Sequence, residues 1–574
     1  MSKIVTPILI IVGLCAMFMT GCRSEDSGGL RFGAAPVRRI TVEDYVDKMK
    51  AGWIGQMAGV GWGGPTEFKY KGEIIPADKM PAWKPELINQ FRQDDIYVEM
   101  TFLRTLELYG MDVSIRQAGI DFANSGYPLW HANNAGRSLL RRGIAPPDSG
   151  HPEFNTHADD IDYQIEADYA GLIAPGMPNV AIRLGETFGR LMNYGDGLYG
   201  GQFVGGMYAE AFFEKDMETI VRAGLECIPQ DSQYAECIRD VLAWYGLYPD
   251  NWQKTWELIE AKYQDNPAYR RFSCNKDQEN MDFNIDAKIN GAYIVMGLLY
   301  GKGDPDQTIV ISTRCGQDSD CNPSNSGGIL FTTIGFKNLP EKFTSALDPE
   351  GKFSHTPYNF PMLVEVSKKL VRQSVKRAGG HVETDADGRE VFVVPIQKPE
   401  PSGFEQCWEP GPIANSRFSE KEMAKITAIA GEDISEDVAQ FAPGWKVASC
   451  GHEMNPGLHE QALGRNNVLV THPLDRRTGC QLSRELKLPA GKDTILRLTV
   501  GHHPNGDWAL LVAVNGKQVA RKLVGKETAP DGWMQTKIDL SDYAGKTVTL
   551  ELINQPTGWT NEAGYWAEIA LVSL

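Results

Sequence analysis

The spacing of apolar residues changes once along this chain, and that change limits its possible folds more than any other feature. From Thr41 to about Val375 the apolar positions recur at helical spacing, as in Ile96, Met100, Leu103 and Leu106. After about Ala442 they alternate with polar residues, as in 494–500, 508–514 and 547–553, a period that suits strands burying one face. Asn515-Gly516 between two such runs is a hairpin signal, because a tight turn there needs residues that tolerate positive φ. The expected fold is therefore multidomain: an all-α domain over 41–375, then an antiparallel β-sandwich of jelly-roll type over 442–574. Residues 376–441 read as a linker, with five prolines between Pro395 and Pro412. Phe404, Trp408 and Phe418 are apolar enough to hold that linker against a surface.

Charge and cysteine usage exclude several classes. Lys and Arg number 57 against 74 Asp and Glu, a net charge of −17. A broad phosphate-binding surface does not fit that balance, so no nucleic-acid partner is expected, whereas a protein that holds divalent cations does fit it. The ten cysteines include no CxxC pair, which argues against a zinc ribbon or a disulfide miniprotein. Pairing of Cys227 with Cys237, or of Cys450 with Cys480, stays open in an exported protein.

An apolar stretch from Ile4 to Met19 follows Lys3 and is too short to span a bilayer. It ends in Met19-Thr20-Gly21-Cys22, which resembles a bacterial lipobox with Cys22 as the lipidation site. The acidic run Glu25-Asp26 just beyond it resembles the surface-export signal of Bacteroidetes lipoproteins. On this reading 1–22 is a lipoprotein signal peptide, 23–40 a tether, and the protein an exported lipoprotein held in the outer membrane of a Gram-negative bacterium by its lipid, facing the cell surface.

Three acidic sites stand out. Gln93-Asp94-Asp95 opens the helix that carries Ile96 to Leu106. A carboxylate there is usually a cap, so alone it says little. Gly316-Gln317-Asp318-Ser319-Asp320-Cys321-Asn322-Pro323 places two carboxylates one residue apart, with Asn322 expected to cap the helix that follows. Set opposite Asp94 and Asp95, they would make a four-carboxylate cage too repulsive to stay ionised without cations. Oxygen donors, with no HExxH in the chain, point to Mg²⁺ or Mn²⁺ over Zn²⁺. The third site is Glu67, presented by the Gly61-Trp62-Gly63-Gly64-Pro65 turn after a helix with Gly52, Gly55 and Gly59 on one side.

Together these motifs resemble the ADP-ribosylglycohydrolase family, which includes the dinitrogenase reductase-activating glycohydrolases and ADP-ribosylhydrolases. Leu339-Pro340-Glu341-Lys342-Phe343 and the Ala174–Asn179 turn fit the same pattern. The resemblance implies a binuclear Mg²⁺ or Mn²⁺ site held by Asp94, Asp95, Asp318 and Asp320, with Glu67 as the mobile active-site glutamate. It also implies a hydrolase acting on a glycosidic bond of an ADP-ribosyl or other sugar substrate, with Glu67 or Asp318 as catalytic base. Gln93 and Cys321 stand where the family usually has Thr, and Asn193-Tyr194 where it has a Thr-His pair. The dense run from His157 to Asp168 offers Asp160 and Glu166 as substrate contacts; elsewhere in the chain, Trp62, Trp83 and Tyr199 are candidate cleft walls. The sandwich, with Trp445, His452, Trp508, Trp533, Trp559 and Trp566, looks similar to galactose-binding-like jelly rolls. A non-catalytic surface glycan-binding lipoprotein on the same fold is the alternative reading.

Overall fold

The helix Val42–Gly63 organises the first half of the molecule. Thr41 caps it, its side chain accepting from the Asp44 amide at 3.0 Å. The helix is buried from Ala51 to Gly63, and it runs against Cys321–Ile334. Small residues make that contact a backbone contact. A Cβ on Gly59 would lie 2.2 Å from the Pro323 carbonyl oxygen, and one on Gly63 would lie 2.1 Å from that of Ser319. Any side chain at either position would push the two helices apart. The helices Asp94–Tyr109, Asp168–Leu172, Asp196–Ala211 and Ala287–Tyr300 complete the core around this pair.

This computed structural model describes residues 36–275, 283, 285–426, 434–451, 453–559 and 561–573. Cys22, the acidic run after it and His452 lie outside the described residues. Among the described residues no helix is long and apolar enough to cross a membrane.

The expected linker is largely built structure. Strand β1 (Val37–Thr41) pairs antiparallel with β3 (Glu390–Pro395), which also pairs with β2 (His381–Thr384). Phe392 of β3 is buried and meets Tyr45 edge-on at 5.6 Å, so this sheet fixes the entry into the first helix. Farther on, the buried Asp148 accepts from the amides of Ala414 and Ser416, both at 2.8 Å. Arg116 pairs with Glu422 at 2.6 Å. The segment is strapped along the helical body rather than strung between two bodies.

The C-terminal region forms two five-stranded antiparallel sheets. One runs β10 (Lys517–Val524), β9 (Trp508–Val514), β12 (Thr547–Gln555), β7 (Cys480–Lys487), β4 (Lys446–Ala448). The other runs β11 (Trp533–Asp539), β8 (Thr494–His502), β13 (Gly564–Ser573), β6 (Arg465–Thr471), β5 (Gly457–Ala462). The β9–β10 turn is Asn515-Gly516, both with positive φ, as expected. Leu482, Leu496, Leu498, Val512, Leu550 and Leu552 fill the space between the sheets with Trp508 and Trp566. Each such side chain contributes ~1.5–3 kcal/mol on full burial. The sandwich belongs to one continuous unit with the helical body, and Arg142 reaches across to Asp475 at 2.6 Å.

Three local expectations differ. The last of the acidic-site helices starts at Cys321 with Asp320 in the N-cap position, two residues before the expected Asn322 cap. Trp62 and Trp83 are not cleft walls: with Phe343 they form a tilted aromatic cluster, their rings 5.0–6.4 Å apart. Tyr199 is likewise buried, its hydroxyl donating to the Gly403 carbonyl at 2.7 Å. Cys227, Cys237, Cys450 and Cys480 are all free thiols.

Candidate metal centre

Two loops are locked together at the end of the glycine-lined helix pair. Gly316 and Gln317 both adopt positive φ, which turns the chain into Asp318. The Gln317 amide donates to the Tyr70 carbonyl at 2.8 Å, and the Phe68 amide donates to the Gln317 carbonyl at 3.1 Å. Thr66 and Ser319 share a hydroxyl contact of 2.8 Å. The loop bearing Glu67 is thereby held over the loop bearing Asp318 and Asp320. From the Ala287–Tyr300 helix, Asn290 Oδ1 accepts from Asn322 Nδ2 at 2.8 Å and steadies the start of the second loop.

Asp94 and Asp95 come to the same place at the N-terminus of their helix. Oxygens of Asp94 and Asp95 and the sulfur of Cys321 lie within 4.8 Å of one another, and so do those of Asp318, Asp320 and Cys321. Cys321 is the hinge between the two pairs. Burial, then the charges of Asp318 and Asp320, push its thiol well up. Gln93 takes part through its main chain, its carbonyl accepting from the Tyr97 amide at 3.0 Å.

The electrostatics are those of crowded anions. Burial, then the Asp320 charge, lifts Asp94 to about 6. Asp95 and Asp318 are raised well above the ordinary carboxylate range by burial and then by Asp94 and Asp320 respectively. Glu67 is exposed to solvent. Desolvation in its crowded loop, then Asp320 and Asp94, push it up to about 8. Both carboxylate oxygens of Asp95 and one of Asp318 are buried without a well-oriented hydrogen-bond donor among the described residues. Orphaned, converging oxygen donors with no neutralising Lys or Arg are what a hard divalent cation satisfies, so the residues present fit such an ion.

The remaining acidic residues divide. Glu166 is fully buried, accepts from Asn133 Nδ2 at 2.8 Å, and borders this centre through the charges of Asp162, Asp94 and Asp95. His157 Nδ1 is 2.8 Å from the Asp160 carboxylate, on which the charges of Asp159 and Asp286 act. The sequence reading passed over Asp162, whose Oδ2 accepts from the Ala132 amide at 3.0 Å and which feels the charge of Asp160 and then that of Asp94. It also passed over Glu99 and Asp168, a buried carboxylate pair behind Asp95. Glu99 was within reach of sequence: it follows Asp95 by one helical turn and shares its face.

Against known families, the profile described as ADP-ribosylglycohydrolase matches residues 41–375, more than half of the chain. The chain belongs to the ADP-ribosylglycohydrolase family. Of solved structures, an "ADP-ribosylglycohydrolase-related protein complex" is similar at 14% identity and a TM-score of 0.38, over 58% of this chain and all of that one. The CBM22-1 xylan-binding domain of Paenibacillus barcinonensis Xyn10C is similar at 16% identity and a TM-score of 0.18, over 23% of this chain and 86% of that one. TmCBM61, solved with β-1,4-galactotriose, is similar at 16% identity and 0.18, over 25% and 97%. These scores are too low to bear on the site. No curated protein sequence matches the chain.

Proposed function

We propose that the family member described here is a metal-dependent hydrolase of a glycosidic bond, at a ribosyl or another sugar's anomeric carbon. One observation carries this reading: four carboxylates from two helix starts gather around Cys321 with no Lys or Arg paired to them among the described residues, and the exposed Glu67 lies near enough to feel Asp320 and Asp94. Asp94, Asp95, Asp318 and Asp320 would hold a Mg²⁺ or Mn²⁺ pair. Bound there, the ions would supply Lewis acidity toward sugar hydroxyls and water.

The chain's own residues do the rest. Glu67 is exposed at the edge of the cluster, so its carboxylate can exchange a proton with water. It takes a proton from water as the water oxygen bonds to the anomeric carbon and the bond to the leaving oxygen breaks, and it then passes that proton to the departing oxygen. Asp318 is the less accessible of the two candidate bases, since it is buried while Glu67 meets solvent. Glu166, held by Asn133, and Asp162, held by the Ala132 amide, are placed to receive sugar hydroxyls on the inner side. The leader-like stretch through Cys22 supports a lipid-anchored surface location, which mass spectrometry of the membrane-extracted protein tests.

A release assay decides the reading. Purified protein is incubated with ADP-ribosylated protein and with a panel of 4-nitrophenyl glycosides, with Mn²⁺, with Mg²⁺ and with EDTA. Metal-dependent release from at least one substrate, lost in Glu67→Gln, is expected. No release from any of them, with either metal, favours a glycan-binding role on the same fold.

A further inference from the structure

A second cavity lies where the sandwich meets the helical body. Its volume is about 310 Å³, at the small end of the ~300–1,000 Å³ typical of small-molecule pockets. The helical wall includes Asn134, Leu139, Arg142 and His157; the sandwich wall includes His472, Asp475 and Trp559. The Arg142–Asp475 ion pair joins the two walls. His472 is buried and meets Trp559 edge-on at 5.3 Å, which fixes the indole.

Three features mark it as a built site. Asn134 is only 7% exposed, yet its Oδ1 has no hydrogen-bond partner among the described residues. Trp559 Nε1 is also buried without an acceptor among the described residues. An unused acceptor on one wall and an unused donor on an aromatic ring on the other suit a ring that carries hydroxyls. The third feature is position. His157 lines this cavity with its ring 5.7 Å from that of His131, and Asn134 follows Ala132 and Asn133, which donate to Asp162 at 3.0 Å and to Glu166 at 2.8 Å. The cavity therefore adjoins the acids bordering the carboxylate centre through the start of the His131–Arg141 helix.

We propose that this cavity is a leaving-group subsite for a neutral sugar ring, stacked on Trp559 and hydrogen-bonded by Asn134, so that the sandwich supplies part of the active site. The inference rests on the glycosidase reading above. Its charge selects the class of ligand: Arg142, Arg476 and Arg477 are balanced by Glu153, Glu453 and Asp475. Such a lining has no surplus positive charge for a pyrophosphate or a nucleotide.

Ligand-observed NMR and calorimetry on the full-length protein test this, with lactose, xylobiose, arabinobiose and AMP as separate probes. At least one disaccharide should bind the wild type, with affinity about tenfold weaker in Asn134→Ala and in Trp559→Ala, a loss of ~1.4 kcal/mol. Trp559→Phe, which keeps the ring and removes the donor, should be weakened less. It also serves if Trp559→Ala fails to fold by its melting curve. Asp94→Asn should bind the disaccharide as the wild type does, so failure of this subsite and failure of the metal-centre reading are separately visible. Binding of no disaccharide, binding indifferent to both Asn134 and Trp559, or binding of AMP alone overturns the proposal.

Discussion

Two groups of buried carboxylates sit in the helical body, and they are neutralised differently. Around Asp286, both charges are present: Arg270 donates to it at 3.1 Å and Lys288 at 2.8 Å, with all three side chains almost wholly buried. Neighbouring Asp159 accepts from the Ser273 amide at 3.1 Å. Around Asp94, Asp95, Asp318 and Asp320 no Lys or Arg is paired among the described residues, and oxygens are left without donors. In the first group Asp286 is neutralised by its own cations and reads as structure. The second is incomplete, and an incomplete buried anion cluster persists only if it is protonated or holds a cation. A count of acidic residues in the sequence cannot separate the two; the positions of the cations do.

The sharpest way to break the comparison is to remove one acid from the incomplete group. Asp94→Ala or Asp320→Ala should lower metal-dependent turnover more than ~100-fold, since even outer partners of metal ligands typically change activity by ~10–100-fold. The same variants should melt no lower than the metal-free wild type, because a repulsive charge has gone. Full activity in either, in the release assay, contradicts the cage. The mirror experiment is Lys288→Met, which strips a cation from the closed group. It should destabilise the protein by ~3–5 kcal/mol in a denaturant titration, with or without Mn²⁺. A neutral effect would mean that the Asp286 group does not depend on its pairing.

The dependence on pH should differ in the same way. Asp94 at about 6 and Asp196, beside the closed group, at about 7 both lie above the ordinary carboxylate range, chiefly through burial. A raised folded pKa favours the protonated native state. The stabilisation is complete below about pH 4 and is lost as pH climbs through 6 to 7. Melting temperature of the metal-free protein should therefore fall over that interval. Mn²⁺ competes with protons for Asp94, so the stabilisation it gives should grow as pH rises past 6. Asp196→Asn should flatten the remaining slope without touching Mn²⁺ affinity. A metal-induced shift in melting that is constant from pH 5 to 8 would count against this. The smallest effect is expected at Cys321. Because a thiol is a soft donor and Mn²⁺ a hard ion, Cys321→Ser should change Mn²⁺ affinity by less than about tenfold in calorimetry; a larger loss would make the sulfur a true ligand.

The helical body and the sandwich were both legible in the sequence because a period of 3.6 or 2 is a direct record of which face is buried. The pairing of Asp94-Asp95 with Asp318–Asp320 was legible because short motifs carry local geometry and the family resemblance supplied their order. Contacts between distant segments left no local mark. Nothing near Val391 or Phe392 shows that this stretch pairs with Val37–Thr41 across the whole helical domain. Trp62 and Trp83 looked like a sugar platform because aromatics beside glycines serve clefts and cores alike, and only packing against Phe343 tells them apart. Asp162 was hidden in a run of similar acids. Asp160 stood out equally in that run, and its partner His157, at 2.8 Å, left no mark near it that sets it apart.

Direct counting of bound ions tests the central claim most simply. The purified full-length protein is stripped with EDTA, dialysed against Mn²⁺ at pH 7.5, and measured for manganese per chain. The wild type should retain two ions, and both Asp94→Ala and Asp320→Ala should retain fewer than one at the same free Mn²⁺. A wild type that retains none, or variants that retain as many as it does, would show that the four carboxylates are not a metal centre.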